Sequence, residues 1–413
     1  MAKPRLVRTW IELNKRALIH NFRTIRKSVS PRTIFLAVIK SNAYGHGLTQ
    51  VAKIFESEPS FSAAGWFGVD SIVEAIHLRR EKINNPILVL GMTLSNRIKD
   101  AIPGKIILTV SSMPALLDMA KSKMRPAFHL KIDTGMHRQG FFSEDLPKVI
   151  KILKQNKLKP RGIYTHFASA RDSLDPDYTN WQLKNFKQAV ATMEWAGFKD
   201  LIRHSAASGG TMLFPKSHMD MVRVGMALYG YYPSPEAGLR VGKKINPPTF
   251  LRDNGISKSS KTSPTLITKL MDIREGGGIK LKPVLSWKSL VGEIKEIPKG
   301  SYIGYDLTER VARATKVAVV PIGYWHGFDR GLSSIGEVLI GGLRRKVLGR
   351  VSMDMITIDV TDGKKEVKTG DEVTIIGRDG KEKIWADEIA QKVYTSPYEV
   401  LTRINLLIHK EIV

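Results

Sequence analysis

The chain has 413 residues, enough for two domains of ordinary size, and its 42% hydrophobic content contains no apolar run near the roughly 20 residues that a spanning helix needs. It has no cysteine, which excludes disulfides, thiolate metal sites and cysteine nucleophiles and agrees with a cytoplasmic setting. The net charge of +26, from 65 basic and 39 acidic residues, would suit a nucleic-acid surface. Those basic residues do not pile into one arm and form no nucleic-acid motif, so a solvated basic surface is the preferred reading.

Met1-Ala2-Lys3-Pro4-Arg5 is basic, but no apolar core follows, so no export signal is expected. Thr9-Trp10-Ile11-Glu12-Leu13 alternates as a strand does, and Asn14 opens a helical run through Ala17, Leu18, Phe22 and Ile25. From Thr33 the pattern is strand then helix, repeatedly. Strands are expected at 33–39, 65–70, 86–90, 105–110, 126–132, 161–166, 200–204 and 219–224, with amphipathic helices between most of them, as at 144–155 and 178–196. Such alternation implies parallel strands with crossover helices, and about eight units in this length suit a (β/α)8 barrel.

The rhythm breaks after Tyr232. Residues 233–282 are rich in Pro, Gly, Ser and Lys, with one short helical possibility near 265–273, and read as a linker with an exposed insertion. Beyond Pro283 short strands follow closely, at 284–297, 316–321, 335–340, 344–348, 355–360 and 372–377, then a helix at 386–393 and an apolar tail from Ile404 to Ile408. The expected organisation is a barrel over 1–240, a linker and basic insertion over 241–282, and a mainly-β domain over 283–413.

Within the barrel, the run Ile34 to Ile39 delivers Lys40 to the end of a strand, where barrel chemistry sits. A lone lysine there would more often be a charge reaching for solvent than an attachment lysine in a partly desolvated site. The string Ala37-Val38-Ile39-Lys40-Ser41-Asn42-Ala43-Tyr44-Gly45-His46-Gly47 decides between them, because it closely resembles the pyridoxal-phosphate attachment site of alanine racemases. The resemblance runs from Trp10 to near Arg403 and is weakest over 233–282. It implies that Lys40 carries pyridoxal 5'-phosphate.

The same resemblance assigns roles elsewhere. In His129-Leu130-Lys131-Ile132-Asp133-Thr134-Gly135-Met136-His137-Arg138 it gives Arg138 to the substrate carboxylate, for which a forked guanidinium is a natural clamp, and makes Lys131 a candidate for carbamylation. It stacks His166 of Tyr164-Thr165-His166 on the pyridine ring. It gives the phosphate to Ser208, Gly225 and Met226, with the hydroxyls of Tyr44 and Tyr398. The resemblance also turns Arg223 toward the pyridine nitrogen, where a group that only donates would keep that nitrogen unprotonated and the ring a weaker electron sink.

In the second domain Tyr305 matches the catalytic tyrosine, although Asp306 stands where the family often has glycine. The resemblance implies that Tyr324 lines the pocket mouth, in a Tyr324-Trp325-His326-Gly327 segment that also departs from the family, and that Arg330 joins a polar network with His166 and Arg223. By the same resemblance the Met353 backbone N–H, in Gly349-Arg350-Val351-Ser352-Met353-Asp354, is expected to meet the substrate carboxylate. The implied activity is two-base racemisation of L- and D-alanine, with Lys40 serving one face of Cα and Tyr305 the other. It would supply D-alanine for peptidoglycan from a homodimer in which Tyr305 and Met353 come from the partner subunit. Racemisation of a broader set such as serine is the alternative. A basic amino-acid decarboxylase would rely on a cysteine that this chain lacks, and a nucleic-acid-binding protein has only the charge in its favour.

Overall fold

A computed structural model describes residues 7–170, 176–233, 280–363 and 366–413, and the chain divides into two compact units. Nearly all of the 241–282 linker and insertion, with the helix expected at 265–273, lies outside the described residues. No helix among the described residues is long and apolar enough to cross a membrane.

β1 (Thr9–Leu13) belongs to the mainly-β unit, and the next eight strands build the other, Ala17–Lys40 with Val51–Lys282. These are β2 (Ile34–Val38), β3 (Trp66–Val69), β4 (Ile87–Val89), β5 (Leu108–Val110), β6 (Phe128–Lys131), β7 (Gly162–Tyr164), β8 (Ile202–His204) and β9 (Met221–Val224). All pair in parallel, in the orders β4-β3-β2-β9 and β5-β6-β7-β8. A parallel bridge from Leu88 to Ile107 joins one pair of edges. Hydrogen bonds from Asp220 N–H to Arg203 O (3.1 Å) and from Arg223 N–H to Ala206 O (2.9 Å) join the other, so the barrel closes. Each strand falls inside a span expected from the sequence, because strands buried on both sides read as short apolar runs.

Inside these runs the polar exceptions are informative. Thr109, His129, Lys131, His204 and Arg223 are buried on barrel strands, where only a polar interior can satisfy them. Packed elsewhere in this unit, Phe22 meets Phe35, Phe55 and Phe61 edge-on at 4.9, 5.8 and 5.6 Å.

The mainly-β unit joins Met1–Arg16, Ser41–Gln50 and Pro283–Val413. Its strands are β10 (Leu285–Leu290), β11 (Glu293–Ile297), β12 (Tyr302–Ile303), β13 (Glu309–Arg310), β14 (Thr315–Val320), β15 (Glu337–Ile340), β16 (Leu343–Leu348), β17 (Ile356–Asp359), β18 (Glu372–Asp379), β19 (Glu382–Ile384) and β20 (His409–Ile412). Most form one sheet in the order β11-β14-β17-β16-β15-β18-β10-β1-β20. The run expected as one strand at 284–297 is two. Val291 N–H bonds to Asp371 O and Gly292 N–H to Val319 O, so the chain changes partners there. The apolar tail at 404–408 is also corrected: Leu406 and Leu407 are exposed, and β20 closes the chain beside β1.

Directly after Lys40 the backbone turns left-handed, with φ of 53°, 55°, 51° and 54° at Ser41, Asn42, Ala43 and Tyr44. Such a conformation costs an L-residue about 1–2 kcal/mol. Local bonds offset it: Asn42 O accepts from Gly45 (3.1 Å) and Gly47 (2.9 Å), and Asn42 Oδ1 accepts from Leu48 N–H (3.0 Å). Gly45, at φ +88°, must be glycine, since a Cβ would lie 2.1 Å from Leu401 O.

Candidate active site

The barrel unit holds eight of the selected residues at or just beyond strand ends. Lys40 follows β2, and its Nζ lies 3.2 Å from Asp70 Oδ1, just past β3. Lys131 ends β6, and its Nζ donates to Gln139 Oε1 at 2.8 Å; Gln139 Nε2 donates in turn to Ser111 Oγ at 3.0 Å. Burial, followed by the charges of Arg138 and Arg223, pushes the Lys131 amine down to about 8.

Arg138 projects from a turn organised by the Asp133 carboxylate. That carboxylate accepts from the N–H groups of Gly135 (2.9 Å), Met136 (2.9 Å), His137 (3.0 Å) and Arg138 (3.0 Å). The Arg138 side chain is exposed and lines an open cavity with Ser111, Ser112 and Gln139.

Arg223, on β9, is 3% exposed. Nη1 donates to His204 Nδ1 at 2.8 Å; Nη2 donates to Thr165 O at 2.7 Å, Ser205 O at 3.1 Å and His166 Nδ1 at 3.4 Å. No carboxylate among the described residues pairs with it. Burial pushes the guanidinium down to about 10, which leaves it charged at neutral pH. Burial and the nearby Arg223 and Arg138 push His166 down to about 3, so its ring is neutral. Ser208 starts a short helix after β8, and its Oγ accepts from Gly225 N–H at 3.0 Å, beside buried Met226.

The mainly-β unit holds the others. The rings of Tyr44 and Tyr398 are 5.9 Å apart. Tyr305 occupies the tip of the β12–β13 hairpin and is 69% exposed. Its neighbour Asp306 has φ +61°, and Asp306 Oδ2 lies 3.5 Å from Arg350 Nε and 3.9 Å from Arg330 Nη2. Tyr324 and Met353 lie on adjoining segments, with Tyr324 N–H donating to Ser352 O and Trp325 N–H to Met353 O, each at 3.1 Å. Both side chains are exposed.

Four residues now beside the selected set were not singled out from sequence: Asp70, Gln139, His129 and His204. Two of them carried a signal, since histidines in apolar strands need polar partners. No cluster of His, Cys, Asp and Glu that could hold a metal occurs among the described residues.

Two family models match the chain, the alanine racemase N-terminal domain over residues 13–233 and the alanine racemase C-terminal domain over residues 284–412. An alanine racemase of Leptospira interrogans serogroup Icterohaemorrhagiae serovar Lai is 37% identical over 399 residues, covering 96% of this chain and 94% of its own. The structure of alanine racemase from Bacillus anthracis with bound L-Ala-P superposes with a TM-score of 0.84 at 30% identity, covering 99% of this chain and 96% of that one. That of alanine racemase from Bartonella henselae with covalently bound pyridoxal phosphate gives 0.78 at 25% identity, covering 98% and 100%. A lysine just past a barrel strand, a buried arginine with no carboxylate partner among the described residues, and two matched domains lead to one conclusion: the chain belongs to the alanine racemase family.

Proposed function

We propose that this chain interconverts L- and D-alanine with pyridoxal 5'-phosphate, the cofactor on which the family depends. The observation that carries the reading is the pairing, within one barrel unit, of a lysine at the β2 terminus with Arg223, a buried cation that can only donate hydrogen bonds. The donor set suits the cofactor. Lys40 offers the amine for attachment, Arg223 a donor for a ring nitrogen, and His166 a flat neutral surface. Ser208, Gly225 and Met226 offer a hydroxyl and backbone N–H groups to phosphate, and the family resemblance adds the hydroxyls of Tyr44 and Tyr398.

When bound, the cofactor supplies an electron-withdrawing ring that acidifies the substrate Cα–H. The protein's own groups do the rest. Arg138 takes the substrate carboxylate with the Met353 N–H, while Tyr324 borders the approach. Lys40 Nζ moves the proton on one face of Cα and Tyr305 Oη on the other. Arg223, by withholding any proton from the ring nitrogen, limits side reactions that need a deeper electron sink. Lys131, with its amine pushed down to about 8, has a neutral fraction open to carbamylation by carbon dioxide at mildly alkaline pH.

The exposure of Tyr305 (69%) and Met353 (50%) supports a homodimer in which a second copy brings these residues to the barrel of the first, while Tyr324 (43% exposed) lines the pocket mouth. The organisation is then a barrel over 1–240, a linker and insertion over 241–282, and a β domain over 283–413, working in the cytoplasm to supply D-alanine for peptidoglycan.

Incubation with cofactor and L-alanine should yield D-alanine. Lys40→Ala should abolish that conversion and also the covalent labelling produced by borohydride. Borohydride labelling that persists in Lys40→Ala would place the cofactor on another lysine and refute the assignment.

A further inference from the structure

Behind Arg223 the barrel core contains a second polar array that the reaction, as described, does not use. Arg223 Nη1 is 2.8 Å from His204 Nδ1, and His204 Nε2 is 2.8 Å from His129 Nδ1. Both histidines have no exposed surface. Tyr164 stacks on His204, with ring centres 4.6 Å apart and planes 9° from parallel, and its hydroxyl lies 2.9 Å from Thr109 Oγ1.

The protons in this array have one arrangement. A guanidinium donates and never accepts, so His204 Nδ1 must be the acceptor. The His204 proton is therefore on Nε2, where it donates to His129 Nδ1. The His129 proton must then sit on its own Nε2, which has no hydrogen-bond partner among the described residues. A charged histidine at either position would turn N–H against N–H, and burial with the nearby Arg223 charge pushes both rings toward neutrality.

We propose that His204 and His129 are positioning residues, forming a neutral two-histidine strut across the barrel core that holds the Arg223 guanidinium in one orientation toward the cofactor ring. The proposal rests on the functional reading above. Nη2 is held by the carbonyls of Thr165 and Ser205, so the strut is what fixes the other arm of the fork. A hydrogen bond to a charged donor contributes about 1.5–3 kcal/mol, so loss of this one should be visible without unfolding the barrel.

Two measurements test the strut. In cofactor-free protein with labelled histidine, long-range 1H–15N spectra should show the Nε2–H tautomer at both His204 and His129; a proton on Nδ1 of either overturns the proposal. In loaded protein, His204→Leu should lower kcat about ten- to hundredfold with little change in KM. It should also raise the share of transamination and shift the cofactor's visible absorbance. His204→Asn, whose Oδ1 takes the place of Nδ1, should recover most of the loss. Equal damage from Leu and Asn would mean that packing alone matters and would overturn the proposal, as would an unchanged partition and absorbance in His204→Leu. If His204→Leu fails to fold, the Asn variant and the tautomers decide. A wild-type protein that takes up no cofactor would instead refute the functional reading, and the spectra of the cofactor-free protein tell the two failures apart.

Discussion

The buried histidines make acid stability a direct test of the interior. His129 is pushed down to about 3 by burial and by Arg161 and Arg223, and burial with Arg223 holds His204 well below the usual range. Unfolding returns each to an ordinary value near 6.5. Between these limits the unfolded chain binds a proton that the folded chain refuses, so stability is full above about pH 7 and falls as pH drops. At pH 5 the unfolded ring sits about 1.5 units below its pKa, which removes about 2 kcal/mol per histidine whatever the folded value, provided that it lies well under 5. His166, pushed down to about 3 in the same way, adds a third such term, and the three together remove about 6 kcal/mol from the barrel unit, a large share of the 5–15 kcal/mol typical of a domain. His46, pushed down to about 4 mainly by burial, removes about 2 kcal/mol from the other unit by the same route. Carboxylates such as Asp133 begin to contribute only lower, in the ordinary carboxylate range, so the window from pH 7 to 5 belongs to histidines. Urea unfolding of cofactor-free protein at the two pH values should show this loss. His129→Asn should lose only about two-thirds as much from the barrel transition. An identical loss in wild type and His129→Asn would mean that His129 is not held neutral, and the reasoning would fail.

Gly162→Ala should lower the thermal midpoint by an amount worth about 1–3 kcal/mol, because the new Cβ would lie 2.6 Å from His129 Cε1 and 2.7 Å from Ile202 O. An unchanged midpoint would mean that β7 does not press on His129. Tyr305→Phe should lose Cα deuterium exchange with one alanine enantiomer and retain it with the other through Lys40. Mixing Tyr305→Phe chains with Lys40→Ala chains should restore activity at one intact site per heterodimer; verified subunit exchange without recovery would exclude a site shared between copies.

The barrel was legible in the sequence because each of its strands is a compact apolar run between helical spans. β12 and β13 were not, being two residues each and partly exposed, with no alternation to follow. Nor was β20, whose His409-Lys410-Glu411-Ile412 is polar because it lies at the edge of the sheet. At the candidate site the strings around Lys40, Arg138, His166 and Arg223 stood out, since each puts polar chemistry at a strand end. Their partners did not. Asp70 comes 30 residues after Lys40, and His204 comes 75 after His129, and only the pairing of β2 with β3 and of β6 and β8 through β7 brings them together. His129 could have been suspected: it sits two residues before Lys131, on the same side of a strand that is otherwise apolar.

The mainly-β sheet depends on β1, which lies between β10 and β20 and pairs Thr9 with Ser289 and Trp10 with His409. A fragment beginning at Pro283 would therefore lack an internal strand of its own sheet and expose two raw edges to aggregation. The separation also sets a clock for synthesis. At 5–20 residues per second, β1 emerges roughly 15–55 seconds before β10. For all that time its row of backbone donors and acceptors has no strand to join, and the nascent chain must be kept from finding another.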